Sequence, residues 1–202
     1  MYSGGGILIS ADKILKRSNT SSEYQANKKR IYTEILRLLY LEKQIVLITY
    51  EYVITDRNYA NTLIKGIKFS DEFYNKASDI IRQNGNMIGV HIRRTDHTVA
   101  INNSPTEKFY YKLDEVFEDT NEMVAYLATD DVLIEKEVTS RYGEHVITNR
   151  NKTFGRDSED GMKDAIVDMI CLSKCKKIYG SFSSQFSVFP SELSNIPLEI
   201  IK

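Results

Sequence analysis

Residues 87–96 read Met87-Ile88-Gly89-Val90-His91-Ile92-Arg93-Arg94-Thr95-Asp96, an apolar run that passes directly into a cluster of charged and polar side chains. The apolar part predicts a buried strand over residues 87–93. Two guanidiniums, a carboxylate and an imidazole are costly to hold where a strand leaves a core. A guanidinium presents a rigid fork of N–H donors that matches phosphate oxygens. The stretch therefore predicts a site for a phosphorylated ligand, which we interpret as a sugar nucleotide.

Composition places the chain among ordinary globular proteins. Its 202 residues suit one domain or one domain with a smaller piece, and 42% apolar and 27% charged residues are a typical balance. The net charge of −1 gives no bulk attraction to nucleic acid or to an anionic membrane, so any phosphate site has to be local. No apolar stretch approaches the roughly 20 residues that span a bilayer. We therefore expect neither a nucleic-acid partner nor a transmembrane segment.

The N-terminus and the cysteines indicate the compartment. Residues 1–6 lack the basic start and the long apolar centre of a secretion signal. Cys171 and Cys175 lie one helical turn apart without other cysteine partners, which favours reduced, packed thiols over a metal site. We expect a cytoplasmic protein, and the many Lys, Ile and Asn residues together with the lack of Trp suggest a bacterial source.

Strand and helix patterns alternate from residue 87 onward. Strands are predicted at residues 87–93, 124–128, 145–148 and 177–180. An N-cap Ser104, Pro105 and Glu107 form a helix-start signature. Further helices are predicted after Asp130-Asp131 and at residues 161–174 and 185–193. The 161–174 helix is expected to bury one face, made up of Met162, Ala165, Ile166, Met169, Ile170 and Ser173. This order predicts an α/β fold with a Rossmann-like parallel sheet flanked by helices.

The first 86 residues show a weaker pattern. Helices are predicted at residues 28–41 and 71–83, and a β-rich run at residues 44–54. A boundary near residues 84–86 divides the chain into a short α/β segment, residues 1–86, and the Rossmann-like domain, residues 87–202.

Polar residues follow each predicted strand of the sheet. They form four clusters: residues 91–96, Asp130-Asp131, Asn149-Arg150 and residues 181–184. Ligands of parallel α/β sheets bind outside the carboxyl ends of the strands, so these clusters predict one shared site. In the last cluster, Ser183 and Ser184 precede a helix whose first N–H groups suit an anion. The P-loop and the glycine dinucleotide fingerprint are absent from the sequence, and no Ser-His-Asp grouping is evident.

Alternation along the first strand separates the two arginines. His91 and Arg93 share one face and Arg94 lies on the other, which favours Arg93 as the phosphate ligand and Arg94 as a structural residue. Both arginines are counted among the candidate donor-binding residues. The alternative for both arginines is a surface pair that forms salt bridges with Asp96 or Glu107.

Several acidic residues and a histidine allow more than one interpretation. Asp168 could accept the paired N–H donors of a guanine edge, or lie on a solvated helix flank one turn from the like charge of Asp164. Asp130 and Asp131 could bind ribose hydroxyls, pair around a metal ion or cap a helix. Metal is the weakest of these because no third carboxylate stands at the right spacing. His97 is a general-base candidate or a solvated loop residue.

Four motifs together resemble the α1,6-fucosyltransferases and their bacterial relatives, in order and in spacing, over about residues 87–195. They are Val90-His91-Ile92-Arg93-Arg94-Thr95-Asp96, Tyr126-Leu127-Ala128-Thr129-Asp130-Asp131, Ile166-Val167-Asp168 with Leu172-Ser173, and Ser181-Phe182-Ser183-Ser184-Gln185. The resemblance implies the donor-binding domain of a GT-B glycosyltransferase, with GDP-fucose as donor, a glycan as acceptor and neither metal nor cofactor. Residues 1–86 would then be a short or partial acceptor-side lobe.

The resemblance also implies a role for each matching residue. The implied contacts are guanine with His91 and Asp168, the β-phosphate with Arg93, Ser184 and Gln185, the nucleotide pocket with Asp130 and Asp131, and the donor sugar with Asp96. One family feature is missing, because the Glu that follows the two arginines in the family has no counterpart in residues 99–102. Asp96, His97 or Glu107 would have to act as the base. Arg93, Asp96 and His97 are therefore the catalytic candidates.

Three hypotheses follow from these observations. The leading one is an inverting, metal-independent transferase in which Arg93 and the amides of Ser183 and Ser184 stabilise the departing diphosphate. The second is a catalytically inactive GDP-sugar-binding module that needs a partner subunit. The third is a different nucleotide enzyme, such as a phosphatase or kinase, which magnesium dependence would reveal. The sequence leaves a homo-oligomer open.

Overall fold

The computed structural model of the chain describes residues 64–81, 86–119, 122–155 and 158–202. All of them belong to a compact unit that spans Asn61–Lys202. The helix predicted at residues 28–41 and the β-rich run at residues 44–54 lie outside the described residues. The division of the chain at residue 86 stays a prediction.

Helices and strands alternate along the described residues. In chain order they are α1 (Asp71–Ile81), β1 (Met87–Ile92), α2 (Thr98–Asn103), α3 (Thr106–Asp119), β2 (Val124–Thr129), α4 (Val132–Tyr142), a 3₁₀ turn (Gly143–His145), β3 (Val146–Thr148), α5 (Glu159–Ser173), β4 (Ile178–Ser181), α6 (Gln185–Ser194) and β5 (Leu198–Ile201). The strands and helices predicted after residue 87 are confirmed within a few residues at their ends. The sequence analysis did not predict the short helix α2 or the last strand β5.

The sheet is parallel throughout, with the strand order β3-β2-β1-β4-β5. The chain lays down β1, β2 and β3 in one direction and then crosses back to place β4 on the other side of β1. Its direction of growth therefore reverses between β1 and β4, which is where α/β sheets form a crevice for ligands. The predicted α/β fold with a Rossmann-like parallel sheet is confirmed.

Apolar side chains cover both faces of the sheet. Alternation along β1 and β2 sends successive side chains to opposite faces, so each strand contributes to two cores. The first core joins the sheet to α3 and α4, and its buried members include Ile88, Val90, Phe109, Leu113, Leu127 and Val138. The second joins the sheet to α1 and α5, and its buried members include Ala77, Met87, Tyr126, Val167, Ile170 and Leu172.

Two local predictions are wrong. The buried face of α5 includes Val167, Cys171 and Leu172, whereas Met162, predicted to be buried, is 50% exposed. The helix packs against both the sheet and α1, so a single apolar stripe does not describe it. Ser104 does not cap α3, because its hydroxyl donates to the Ile201 carbonyl and accepts the Phe182 N–H at 2.8 Å.

The two cysteines are unpaired and buried. The helix α5 ends at Ser173, so Cys175 lies just beyond it rather than on it. Burial raises the pKa of the Cys171 thiol to about 12 and raises that of Cys175 further. Both groups are therefore neutral thiols. Among the residues described here, no helix is long and apolar enough to cross a membrane.

Alanine at Gly180 is expected to destabilise the fold. A Cβ built at Gly180 lies 2.5 Å from Ser187 Oγ and 2.6 Å from Ser187 Cβ, so α6 would have to move away from β4. Overpacking of this kind costs about 1–3 kcal/mol, which urea unfolding would measure.

The control is alanine at Gly89, where the nearest atom is the end of the flexible Leu172 side chain, 2.9 Å away. That change is expected to cost less, because Leu172 can rotate. Equal destabilisation by the two substitutions would contradict the tight contact between β4 and α6.

Candidate functional site

Polar side chains meet where β1 and β4 end, beside the end of β2. The Arg93 N–H donates to Ser181 Oγ at 2.9 Å, and the Arg94 N–H donates to Asp130 Oδ1 at 2.7 Å. Ser181 Oγ in turn donates to the His91 carbonyl at 3.1 Å. These bonds join three of the clusters that the sequence predicts at strand ends. The cluster therefore lies at the strand-order reversal, the expected ligand crevice.

Arg93 is buried although it carries a charge. Only 6% of the residue is exposed, and its guanidinium donates to Asp96 and, at 2.5 Å, to Asp130 Oδ2. Thr95 also donates to Asp130 at 2.5 Å, so this carboxylate is fixed from several sides. The Asp96 side chain is 71% exposed, and its hydrogen bond from Arg93 lowers its pKa. An incoming anion could therefore replace Asp96 on Arg93 while Asp130 keeps the guanidinium in place.

The Arg94 side chain, unlike its backbone N–H, does not contact Asp130. Its Nε and Nη2 atoms donate to Thr106 Oγ1 at 2.9 and 2.6 Å, and Nη1 donates to the Arg93 carbonyl at 2.7 Å. The guanidinium also lies over the Phe109 ring, 5.9 Å from its centroid. These contacts tie the loop after β1 to α3. They agree with the structural interpretation of Arg94 rather than with ligand binding.

His91 is a neutral imidazole held by α6. It is 3% exposed, its Nδ1 lies 2.7 Å from Ser187 Oγ, and its ring centroid lies 4.9 Å from that of Phe186. Burial lowers its pKa to about 3, and the nearby charges of Arg93 and Lys152 add to this effect. A neutral imidazole offers one N–H donor and one acceptor. His91 can therefore recognise a polar edge but cannot supply positive charge.

Asp168 belongs to a buried polar group that the sequence analysis did not find. It is 4% exposed, so the interpretation as a solvated helix flank is wrong. Its Oδ1 accepts the Tyr126 hydroxyl at 2.5 Å and its Oδ2 accepts the Lys152 ammonium at 3.1 Å. Lys152 also contacts Glu135 Oε2 at 3.1 Å. Burial raises the pKa of Asp168, while Lys152 and Tyr126 act in the opposite direction.

Asp164, one turn before Asp168 on α5, has its own partners. Asp164 contacts Lys76 at 2.6 Å and accepts hydrogen bonds from the Thr153 N–H at 2.8 Å and from the Asn149 amide at 3.3 Å. Burial acts to raise the pKa of Asp164, but these three partners outweigh it and lower the pKa. The two aspartates of α5 therefore hold the loop after β3 at two points.

The two neighbouring aspartates after β2 have different contacts. Asp131 caps α4, since its Oδ1 accepts the N–H groups of Leu133 at 2.8 Å and Ile134 at 3.4 Å. Asp130 faces the arginines instead. Within the described ranges, no group of three or more His, Cys, Asp and Glu side chains could hold a metal ion.

His97 begins the short helix α2. Its Nδ1 accepts the Ala100 N–H at 3.0 Å, so the neutral ring carries its proton on Nε2. To accept a proton, this histidine would have to give up its cap. The helix it begins covers the stretch in which the resemblance places a Glu, and that stretch carries no carboxylate.

The turn after β4 has an unusual backbone. Ser183 is exposed and adopts a left-handed conformation with φ of 55°, which brings the chain into α6. Ser184 stands at the N-cap of α6 and is buried, but its side chain makes no capping bond, and Gln185 is exposed. Helix α6 thus begins at the end of β4, the same edge of the sheet as Arg93.

The sequence of the chain matches a known protein family. A family model for alpha-(1,6)-fucosyltransferase N- and catalytic domains matches residues 58–195, more than half of the chain. The chain belongs to this family. The resemblance drawn from the four motifs is confirmed. No curated protein sequence matches the chain.

Solved structures of fucosyltransferases share the fold. NodZ alpha-1,6-fucosyltransferase co-crystallised with GDP is 16% identical with a TM-score of 0.52, and the match covers 87% of this chain and 60% of that one. POFUT1 in complex with GDP-fucose is 12% identical with a TM-score of 0.53, covering 72% of this chain and 51% of that one. The chain thus spans between half and two thirds of the length of these proteins.

Replacing His91 with Gln is expected to make the free energy of unfolding less dependent on pH in the acid range. The folded imidazole has a pKa of about 3, below its ordinary value of 6.5, so its neutral state stabilises the fold fully above pH 6.5. As the pH falls toward 3, this group removes about 1.4 kcal/mol per pH unit from the free energy of unfolding.

Urea unfolding at several pH values between these limits would measure the effect. The difference in stability between wild type and His91→Gln should shrink as the pH falls. A difference that stays constant across that range would contradict a buried neutral histidine.

Proposed function

We propose that this chain carries the donor-binding part of a glycosyltransferase that moves fucose from GDP-fucose to a glycan hydroxyl. The observation that carries the proposal is the buried Arg93 guanidinium, held at the reversal between β1 and β4 beside the start of α6. Membership of the fucosyltransferase family supports it. So does the shared fold of relatives crystallised with GDP and with GDP-fucose.

The diphosphate would bind Arg93 and the first turn of α6. Arg93 offers a charged fork of donors, and Ser183, Ser184 and Gln185 place backbone N–H groups at a helix start that favours anions. In this role Asp130 orients Arg93, because its two oxygens accept from the Arg93 side chain and the Arg94 backbone.

The guanine base would bind beside His91 and Asp168. Asp168 is a buried acceptor for paired N–H donors, and His91 contributes its second ring nitrogen, Nε2, since Nδ1 contacts Ser187. This polar pair gives the pocket a preference for one base. The diphosphate contacts would bind any nucleotide.

The proposed reaction is inverting and needs no metal ion. Arg93 and the α6 amides would stabilise the charge that develops on the departing diphosphate, which is the task of a metal ion in other transferases. The acceptor hydroxyl would attack the opposite side of the sugar carbon. A diphosphate on Arg93 displaces Asp96 from it, which brings the pKa of this carboxylate back toward its ordinary value and makes it a better base.

A second candidate function is a catalytically inactive module that binds a GDP-sugar and depends on a partner. The observation that favours it is the helix α2, which lacks a carboxylate and uses His97 Nδ1 as its cap. In this case the donor site is intact, while the base comes from a partner or is absent.

We further propose that the protein works in a bacterial cytoplasm. Its two buried, unpaired cysteines suit a reducing compartment.

Replacing Arg93 with Ala is expected to weaken GDP binding. A charge-assisted hydrogen bond of this kind contributes about 1.5–3 kcal/mol, or about 10- to 100-fold in Kd, which calorimetric titration would measure. The control is Arg141→Ala, which removes an exposed arginine that pairs with Asp114 on α3. Unchanged GDP affinity in the Arg93 variant would remove this residue from the site.

The release of GDP from GDP-fucose separates the two candidate functions. With EDTA present and a mixture of glycan acceptors, the transferase releases GDP, and Arg93→Ala is expected to slow the release about 100-fold or more, as for other electrostatic donors to a leaving group. Binding of GDP-fucose without GDP release would favour the inactive module. A strict requirement for magnesium would contradict the metal-independent reaction.

A further inference from the structure

We propose that Lys152 is a positioning residue that keeps Asp168 ready to accept two N–H donors of a guanine base. In this role it sets the preference of the site for guanine over other purines. The proposal deepens the donor-binding function proposed above and rests on it. Nothing in the sequence pattern marks Lys152, which stands in a polar loop after β3.

The surroundings of Lys152 are unusual for a lysine. Its side chain is only 4% exposed, although lysines are almost never buried without a partner. The ammonium lies 3.1 Å from Asp168 Oδ2 and 3.1 Å from Glu135 Oε2, and 4.9 Å from the centroid of the Phe154 ring. It therefore joins α4 on one face of the sheet to α5 on the other, at the carboxyl edge of the strands.

The charge of Lys152, 3.1 Å from Asp168 Oδ2, opposes protonation of this carboxyl. Burial and the negative Glu135 raise the pKa of Asp168, and Lys152 is the largest influence in the opposite direction. Without the ammonium, the burial of a carboxyl that is 4% exposed shifts Asp168 toward the neutral acid. A neutral acid carries an O–H donor, so it no longer presents two acceptors.

The hydrogen bonds of Asp168 leave it with acceptor capacity for a base. A carboxylate has about four lone-pair positions, and Tyr126 and Lys152 use one on each oxygen. One position per oxygen remains, which matches the adjacent ring N–H and amino N–H of guanine. Hypoxanthine lacks the amino group, and adenine presents an acceptor and a donor on the same edge.

Lys152 is not the sole anchor of its loop. Asp164 already holds the loop after β3 through the Thr153 N–H and the Asn149 amide. The pair of Lys76 on α1 and Asp164 on α5 shows the other arrangement, in which the lysine side chain is 50% exposed. The burial of the Lys152 side chain beside Asp168 therefore fits a role in the site.

The test compares GDP with IDP, which lacks the amino group, by calorimetric titration of the full chain. Wild type is expected to prefer GDP about 10- to 100-fold, the range for one hydrogen bond to a charged acceptor. Lys152→Met is expected to bring this ratio close to one, with IDP losing less affinity than GDP because it has a single N–H donor to the carboxyl. Lys152→Arg should retain the preference, and Asp168→Asn should lose it.

The matched control is Lys76→Met, which removes the lysine from Asp164 one turn away on α5. It is expected to lower stability and leave the GDP to IDP ratio unchanged. Should Lys152→Met fail to fold, Lys152→Gln takes its place, because an uncharged amide retains N–H donors without ionising Asp168. Thermal unfolding of each variant separates loss of structure from loss of preference.

The outcomes distinguish this inference from the function on which it rests. Wild type that binds no GDP would overturn both. Wild type that prefers GDP, together with folded Lys152→Met or Lys152→Gln that keeps the same ratio, would overturn the role of Lys152 alone. Equal loss of GDP and IDP affinity in these variants would show a merely structural lysine and would also overturn it.

Discussion

The burial of charge at the carboxyl edge of the sheet is the constraint on which the site depends. Arg93 can lie buried after β1 because Asp130 and Asp96 neutralise its guanidinium. A buried charge without partners is strongly destabilising, so these carboxylates fix the loop as well as the arginine. Asp130 also accepts the Arg94 N–H, and the Arg94 side chain fastens the loop to α3. The same network therefore fixes the loop and holds a cation at the crevice.

Helix α5, on the other side of the crevice, also carries buried charges that are neutralised by partners of opposite sign. Two aspartates one turn apart would repel each other on an isolated helix. Here each has its own lysine, Lys76 for Asp164 and Lys152 for Asp168. The helix thereby binds the loop after β3 and presents a carboxyl acceptor where the base is proposed to lie. The same ion pairs therefore stabilise α5 and prepare the proposed recognition site, as the Arg93 ion pairs do on the other side of the crevice.

The sequence was a good guide to whatever depends on local pattern. Alternating apolar strands and helices predicted the parallel sheet and placed Arg93, Asp130 and Ser181 at one edge. Only the family resemblance brought Asp168 to the same site. It was a poor guide where two surfaces compete for one helix: α5 packs against the sheet and α1 together, so its apolar stripe was assigned wrongly. Lys152 was missed because its partners come from α4 and α5, a tertiary arrangement that spacing does not encode.

A crystal structure of the full chain with GDP would test the central claim most directly. We expect the diphosphate to lie within hydrogen-bond distance of Arg93 and of the first N–H groups of α6. Asp96 should be displaced from the guanidinium, and Asp130 should still contact it. The guanine edge should face Asp168. A nucleotide bound elsewhere on the sheet, with Arg93 still holding both carboxylates, would contradict it.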